Sequence, residues 1–282
     1  MADQPTNPVL SRLKSDCQSG ATRLALQTLE DLADYLRTAR PGAEERAGLL
    51  AELRQARPSM VVIGNAIDRV ERALNRNGDE PWNLVESVRR EFEATTDRIV
   101  ENALGQIHDG AVIMTHSASS VLIRLFRRMV DAQIAFSVIC TQSSPGQEGH
   151  GLASTLNELE VPVTLITDAQ MALFMSDADV VMTGCDSWLT DGHFVNKSGT
   201  HLLALAAYAH NVPFWVLADT FRDSQDTRES VHLEELPATE LNAPEGKWIT
   251  PRNVYFEPVP EQLITGRISE LGVSLCPVEL QR

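Results

Sequence analysis

From Asp109 onward the chain alternates short runs of β-branched and apolar residues with stretches of helical periodicity, and this alternation restricts the fold more than any other feature. The runs are AVIMTHS, IAFSVICT, VPVTLIT, DVVMTG and VPFWVLA. Between them lie helical stretches near Val121 to Val130, after Gly149, a short one after VPVTLIT, and the segment NKSGTHLLALAAYAH. Strands alternating with helices are joined by right-handed crossovers and lie parallel, with helices on both faces. The expected architecture of residues 108–282 is therefore a Rossmann-like, doubly wound α/β domain.

Residues 1–107 read differently, as a helical N-terminal domain. Apolar residues recur at helical spacing in Leu24, Leu26, Leu29, Leu32 and Leu36, then in Leu49, Leu50 and Leu53. A third helix is expected from Pro58 to Asn75, with Met60, Val61, Ile63, Ile67, Val70 and Leu74 on a broad apolar face. A fourth, from Pro81 to Leu104, follows the turn-like Asn77-Gly78-Asp79, which makes a four-helix module.

In doubly wound sheets, ligands lie beyond the carboxyl ends of the strands near a reversal of strand order. The polar groups that follow each apolar run therefore form a candidate rim: Thr115-His116-Ser117-Ala118-Ser119, Thr141-Gln142-Ser143-Ser144, Asp168, Gly184-Cys185-Asp186, Asn196-Lys197 and Asp219. Neither GxGxxG nor GxxxxGK[ST] occurs, so no dinucleotide or P-loop nucleotide is supported and no cofactor is expected. The four cysteines are scattered without a CxxC, against a disulfide framework and against a structural metal. A net charge of −15 opposes direct binding of nucleic acid. No apolar run is long enough to span a membrane and the polar start lacks a signal-like core, so a cytoplasmic protein with no membrane partner is expected.

At three of these segments the sequence resembles the α/β/δ subunits of initiation factor 2B, with methylthioribose-1-phosphate isomerase and ribose-1,5-bisphosphate isomerase as enzymatic relatives. The segments are GAVIMTHSASSVL, CDSWLTDGHFVNKSGTHLLALAAYAHNVPFWVLAD and VYFEPVPEQLITGRISELGVSL, in matching order and spacing. The resemblance implies a phosphorylated small-molecule ligand, and homodimers through the α/β domain or assembly with related subunits. It also implies a catalytic pair in the isomerase branch. The aspartate of that pair falls on Asp186, but its cysteine falls on Ser117. A thiol with a pKa of about 8.5 exchanges protons near neutrality and an unactivated hydroxyl does not, so Ser117 points to the non-isomerase branch.

Phosphate-binding positions carry over in part. Arg57-Pro58-Ser59 resembles the family's Arg-Pro-Thr, with Pro58 expected to open a helix whose amides favour an anion. Asn196-Lys197-Ser198-Gly199-Thr200 matches Asn-Lys-x-Gly-Thr and is expected to offer a cation and free helix amides together. The early Arg-Gly-Ala reads Ser19-Gly20-Ala21, and the arginine of a later Arg-Pro is replaced by Ser144. Two guanidiniums are thus missing, and a ligand with one phosphate is the natural expectation.

Beside these readings stand plainer ones. Asp186 can cap a loop, Asn196 and Lys197 can be a turn and a solvated lysine, and His116 reads better as a structural histidine beneath the strand ends than as a catalytic one. A Ser/His hydrolase is rejected, because neighbours on a strand end face opposite ways and no GxSxG exists. Cys140 or Cys185 is a candidate substitute for the missing thiol; Cys17 and Cys276 have no functional argument. The helix Leu202 to Tyr208 is either deeply buried or a subunit contact, and Asp223 to Glu245 is either an ordered lid or a mobile loop. Two functions compete: a regulatory or oligomeric protein binding a sugar phosphate or nucleotide, and an aldose-ketose isomerase on a phosphorylated pentose.

Overall fold

A computed structural model of the chain describes residues 7–16, 19–76 and 78–276. Cys17 and Asn77 lie outside these described residues. The amino-terminal part holds five helices rather than four: α1 (Pro8–Ser15), α2 (Ala21–Ala39), α3 (Ala43–Gln55), α4 (Val61–Arg76) and α5 (Pro81–Leu104). The unforeseen α1 has only eight residues, too few for periodicity to declare itself. Its start is nonetheless marked, because Asn7 accepts the Val9 amide and Pro8 stands in the first turn. Pro58 does not open α4, which starts at Val61. Residues 57–60 form a turn instead, closed by the Met60 amide on the Arg57 carbonyl.

The α/β part follows with β1 (Ala111–Thr115), α6 (Ser120–Asp131), β2 (Phe136–Thr141), α7 (Glu148–Glu158), β3 (Val163–Ile166), α8 (Met171–Phe174) and β4 (Val180–Thr183). Then come β5 (Ser187–Trp188), β6 (His193–Lys197), α9 (Thr200–His210), β7 (Phe214–Leu217), β8 (Phe256–Pro260), β9 (Gly266–Ser269) and β10 (Gly272–Leu275). Seven strands form one sheet in the order β10-β9-β7-β4-β1-β2-β3, parallel except for β10. Strand order reverses between β1 and β4, and there the chain ends of neighbouring strands diverge to leave a crevice. An antiparallel sheet of β5, β6 and β8 stands beside it, which the reading of the sequence did not anticipate.

The cores explain how the parts join. One face of the sheet buries Ile113, Val138 and Met182 with Leu122, Leu125 and Phe126 of α6; the other buries Met114, Val181 and Val216 with Leu203, Ala204 and Ala207 of α9. At about 1.5 Å per residue the 24 residues of α5 reach about 36 Å. Its Val85, Val88 and Phe92 belong to the helical core, while Ile99, Val100 and Ala103 belong to the sheet core. In return, Phe221, just after β7, enters the helical core and stacks on Phe92 at 4.4 Å. Asn65 donates to the carbonyls of Phe221 and Asp223 at 2.7 and 2.8 Å, and Arg69 to the Thr220 hydroxyl at 2.7 Å. The helical part is thereby held against the carboxyl end of the sheet, over the crevice.

Candidate functional site at the strand ends

Thr115-His116-Ser117 leaves β1 beside the end of β2, and burial dictates what these residues do. The His116 ring is fully enclosed, with Nδ1 2.6 Å from the Thr141 hydroxyl and Nε2 2.8 Å from the Ser198 carbonyl. A carbonyl only accepts, so Nε2 carries the proton and Nδ1 accepts from Thr141. Burial, reinforced by Lys197, outweighs the Ser198 carbonyl and Asp168 and holds the imidazole pKa below its ordinary value. Gly199, at φ +107°, lies so close that a Cβ there would stand 2.8 Å from His116 Nε2.

The network extends outward from His116. Ser143 Oγ stands 3.1 Å from Thr141 Oγ1 and accepts the Ser117 amide at 2.7 Å, and Asp168 accepts the amides of Ser143 and Ser144 at 2.8 and 2.7 Å. Ser117, Ser143 and Gln147 all adopt left-handed backbone, with φ of 65°, 62° and 56°. Non-glycine residues held there carry strain that surrounding contacts must stabilise, and such residues gather at functional sites. Ser117 has no thiol neighbour able to act in its place. Burial pushes the Cys140 thiol up to about 11 and the Cys185 thiol higher still, so both are neutral packing groups.

Across the reversal, three residues beyond β4, lies Asp186. Its carboxylate makes no hydrogen bond among the described residues; burial raises its pKa, opposed by Arg222 and then Lys197. Its surface is partly exposed. Asp219, after β7, is buried with Oδ1 unpartnered, while Oδ2 stands 3.5 Å from Arg222 Nε. The hydroxyls of Thr115 and Thr183 are also buried without a partner.

Asn196 and Lys197 end strand β6 rather than opening a helix, and the expected free cation and amides are both occupied. Lys197 Nζ lies 2.6 Å from Glu148 Oε1 and 3.5 Å from the centre of the Tyr255 ring, and Asn196 donates to Thr200 at 3.0 Å. The amides of Gly199 and His201 at the start of α9 donate to Glu257 at 2.7 and 2.9 Å.

The remaining candidates lie on the helical side. Gly20 and Ala21 start α2, whose first turn has no side-chain cap. Arg57 donates to the carbonyl of Asp16, which caps the end of α1, and its Nε is buried with no partner among the described residues. Arg222, which the sequence did not single out, joins the two sides by donating to Thr22 in the first turn of α2 at 2.7 Å. Its signal was weak: it is one arginine in a segment without periodicity. The stretch Asp223 to Glu245, which follows Arg222, makes contacts with the rest of the chain. Glu234 accepts from Ser59, Glu235 pairs with Arg252 at 2.6 Å, and Glu240 accepts from Tyr255 at 2.7 Å.

A groove of about 750 Å³ lies apart from this rim, lined by Asp191, His193, Arg228, Glu229 and Glu261 among others. Its polar groups serve one another: Asp191 accepts the Arg228 amide at 3.0 Å and stands 3.4 Å from His193. No group of three or more His, Cys, Asp or Glu among the described residues is arranged to hold a metal ion. No described helix is long and apolar enough to cross a membrane.

A parallel sheet whose strand order reverses between β1 and β4, with helices on both faces and a helical part packed at its carboxyl end, defines a doubly wound α/β protein. The chain belongs to the initiation factor 2 subunit family, whose profile matches residues 17–276. It is 34% identical over 280 residues to a putative translation initiation factor eIF-2B subunit 2-like protein of Pyrococcus abyssi, covering 97% of both chains. It is 33% identical to a ribose 1,5-bisphosphate isomerase of Archaeoglobus fulgidus, covering 90% of this chain and 84% of that one. The crystal structure of the Pyrococcus horikoshii OT3 translation initiation factor eIF-2B superposes with a TM-score of 0.77 at 29% identity, covering 97% and 98% of the two chains.

Proposed function

We propose that this is a cytoplasmic, homodimeric regulatory protein that binds a phosphorylated metabolite, without a cofactor, between residues 1–107 and 108–282. The observation that carries the reading is the buried Nε of Arg57, which has no partner among the described residues and whose guanidinium reaches the Asp16 carbonyl, four residues before the uncapped start of α2 at Gly20-Ala21. A guanidinium and helix amides together suit a phosphate, which would supply the acceptor that Nε lacks. Asp186 stands deeper in the crevice, where it accepts ligand hydroxyls. Dimerisation through the α/β part is supported by Leu202, Leu205 and Tyr208, which project from α9 with 63%, 45% and 47% of their surface exposed, while Leu203, Ala204 and Ala207 on its other side are buried.

The regulatory reading is favoured over turnover because Ser117, Cys140 and Cys185 provide no thiolate. One observation favours the isomerase alternative: burial raises the pKa of Asp186, which makes no hydrogen bond among the described residues, the direction expected of a carboxyl that takes up and releases a proton. The test is thermal denaturation with ribose 5-phosphate, AMP and hexose phosphates, since a ligand bound to the native state raises its stability. At 100 times Kd the shift corresponds to about 2.7 kcal/mol, and it should vanish in Arg57→Ala. Absence of any shift, or one indifferent to Arg57, contradicts the reading. Ketose formation that is lost in Asp186→Asn would favour the isomerase instead. Sedimentation of the wild type and Leu205→Glu tests the dimer, which should dissociate in the variant.

A further inference from the structure

We propose that Glu148 sets the class of ligand: a sugar monophosphate whose far end offers hydroxyl donors, with a second phosphate excluded. This rests on the phosphate-binding reading above. The polar groups run across the crevice in sequence. The first turn of α2 meets Arg222 through Thr22, Arg222 and Lys197 both act on the Asp186 carboxylate, and Lys197 ends on Glu148. A ligand anchored by phosphate at α2 and Arg57 therefore extends past Asp186 toward Lys197.

What it meets there is a cation already paired with a carboxylate. Lys197, the cation at that end, is 3% exposed and already neutralised by Glu148 Oε1. The paired amides of Ser143 and Ser144 are filled by Asp168, and those of Gly199 and His201 by Glu257. Each of the three places suited to a phosphate thus contains a carboxylate of the chain itself. Glu148 Oε2 is enclosed and has no partner, so it is an acceptor lacking a donor. A sugar hydroxyl supplies that donor; a phosphate supplies only like charge beside a partly exposed carboxylate.

The experiment compares ribose 5-phosphate with ribose 1,5-bisphosphate by calorimetry. The wild type should bind the monophosphate about tenfold more tightly or better, reflecting repulsion of the second phosphate. Glu148→Gln retains the shape and the bond to Lys197 while removing the charge, and should bring the two affinities within about threefold. Should that variant fail to fold, Lys197→Gln leaves Glu148 unneutralised and should widen the gap by about tenfold. Equal affinities in the wild type, or a gap unmoved by either variant, overturn the proposal. A separate arm uses inorganic phosphate in an Arg57→Ala background, where it should raise Tm only when Glu148 is also Gln; equal shifts with Glu and Gln overturn the proposal. Failure of every sugar phosphate to bind defeats the preceding reading, while the inorganic-phosphate arm still decides the role of Glu148.

Discussion

On the β1–β2 side of the crevice, His116, Thr141, Ser143 and Asp168 form a chain of hydrogen bonds that leaves out only the Thr115 hydroxyl, whereas on the β4–β7 side Asp186, Thr183 and Asp219 Oδ1 meet no hydrogen-bond partner among the described residues. Both sides are polar and deeply placed, so burial alone does not separate them. A buried polar group left unpaired costs about 1–3 kcal/mol. The first side uses its polar groups to fix the shape of the loops; the second retains groups whose partners must come from a ligand or water. The second side is therefore where binding is expected, and the first is the frame that holds it.

The largest effect should come from breaking the frame. His116→Ala opens a cavity and strands Thr141 and the Ser198 carbonyl, and should lower unfolding free energy in urea by about 3 kcal/mol. A loss below about 1 kcal/mol would mean the network is not structural. The pH dependence sharpens this. Because the folded pKa of His116 is lowered, its stabilising share is complete above about pH 6.5 and declines as the pH falls below that value. That share of acid sensitivity should disappear from the melting curves of His116→Asn.

Next in size is one substitution made on both sides. Thr141→Val removes the donor to His116 and the contact with Ser143, and should cost about 2 kcal/mol. Asp186→Asn should instead stabilise the protein at pH 7, by about 1 kcal/mol, because it removes a charge that burial disfavours. A raised folded pKa means that the cost is present above the unfolded value and absent below it, so the gain should fade toward about pH 3. Last, Thr183→Val discards a buried hydroxyl that has no partner among the described residues, and should not lower stability but raise it by up to about 1 kcal/mol. Equal losses in the two threonine variants would erase the distinction between the sides.

Much of the frame is legible in the chain. The alternation from Ala111 to Leu217 marks the five main parallel strands, because a buried strand needs a short β-branched run whatever its surroundings. Strands β5, β6 and β8–β10 escape that reading: His193–Lys197 and Phe256–Pro260 mix polar residues and proline, and they are strands because they pair with each other at a register that local pattern does not encode. Asp186 was found at a strand end and Arg57 by its motif. Arg222 was not, since its role depends on meeting Thr22 from a helix 200 residues away in sequence.

The sequence by itself determined the order of helices α2–α9 and of the five main parallel strands, the rim on which polar residues gather and the loss of a thiol at Ser117. Periodicity and residue chemistry are local properties that any reader of the chain can apply. Only the tertiary structure decided which polar groups are spent on one another. Lys197 and the amides of Gly199 and His201 read as an open anion site until Glu148 and Glu257 arrive from distant segments, and a charge is available or neutralised only according to what packs against it.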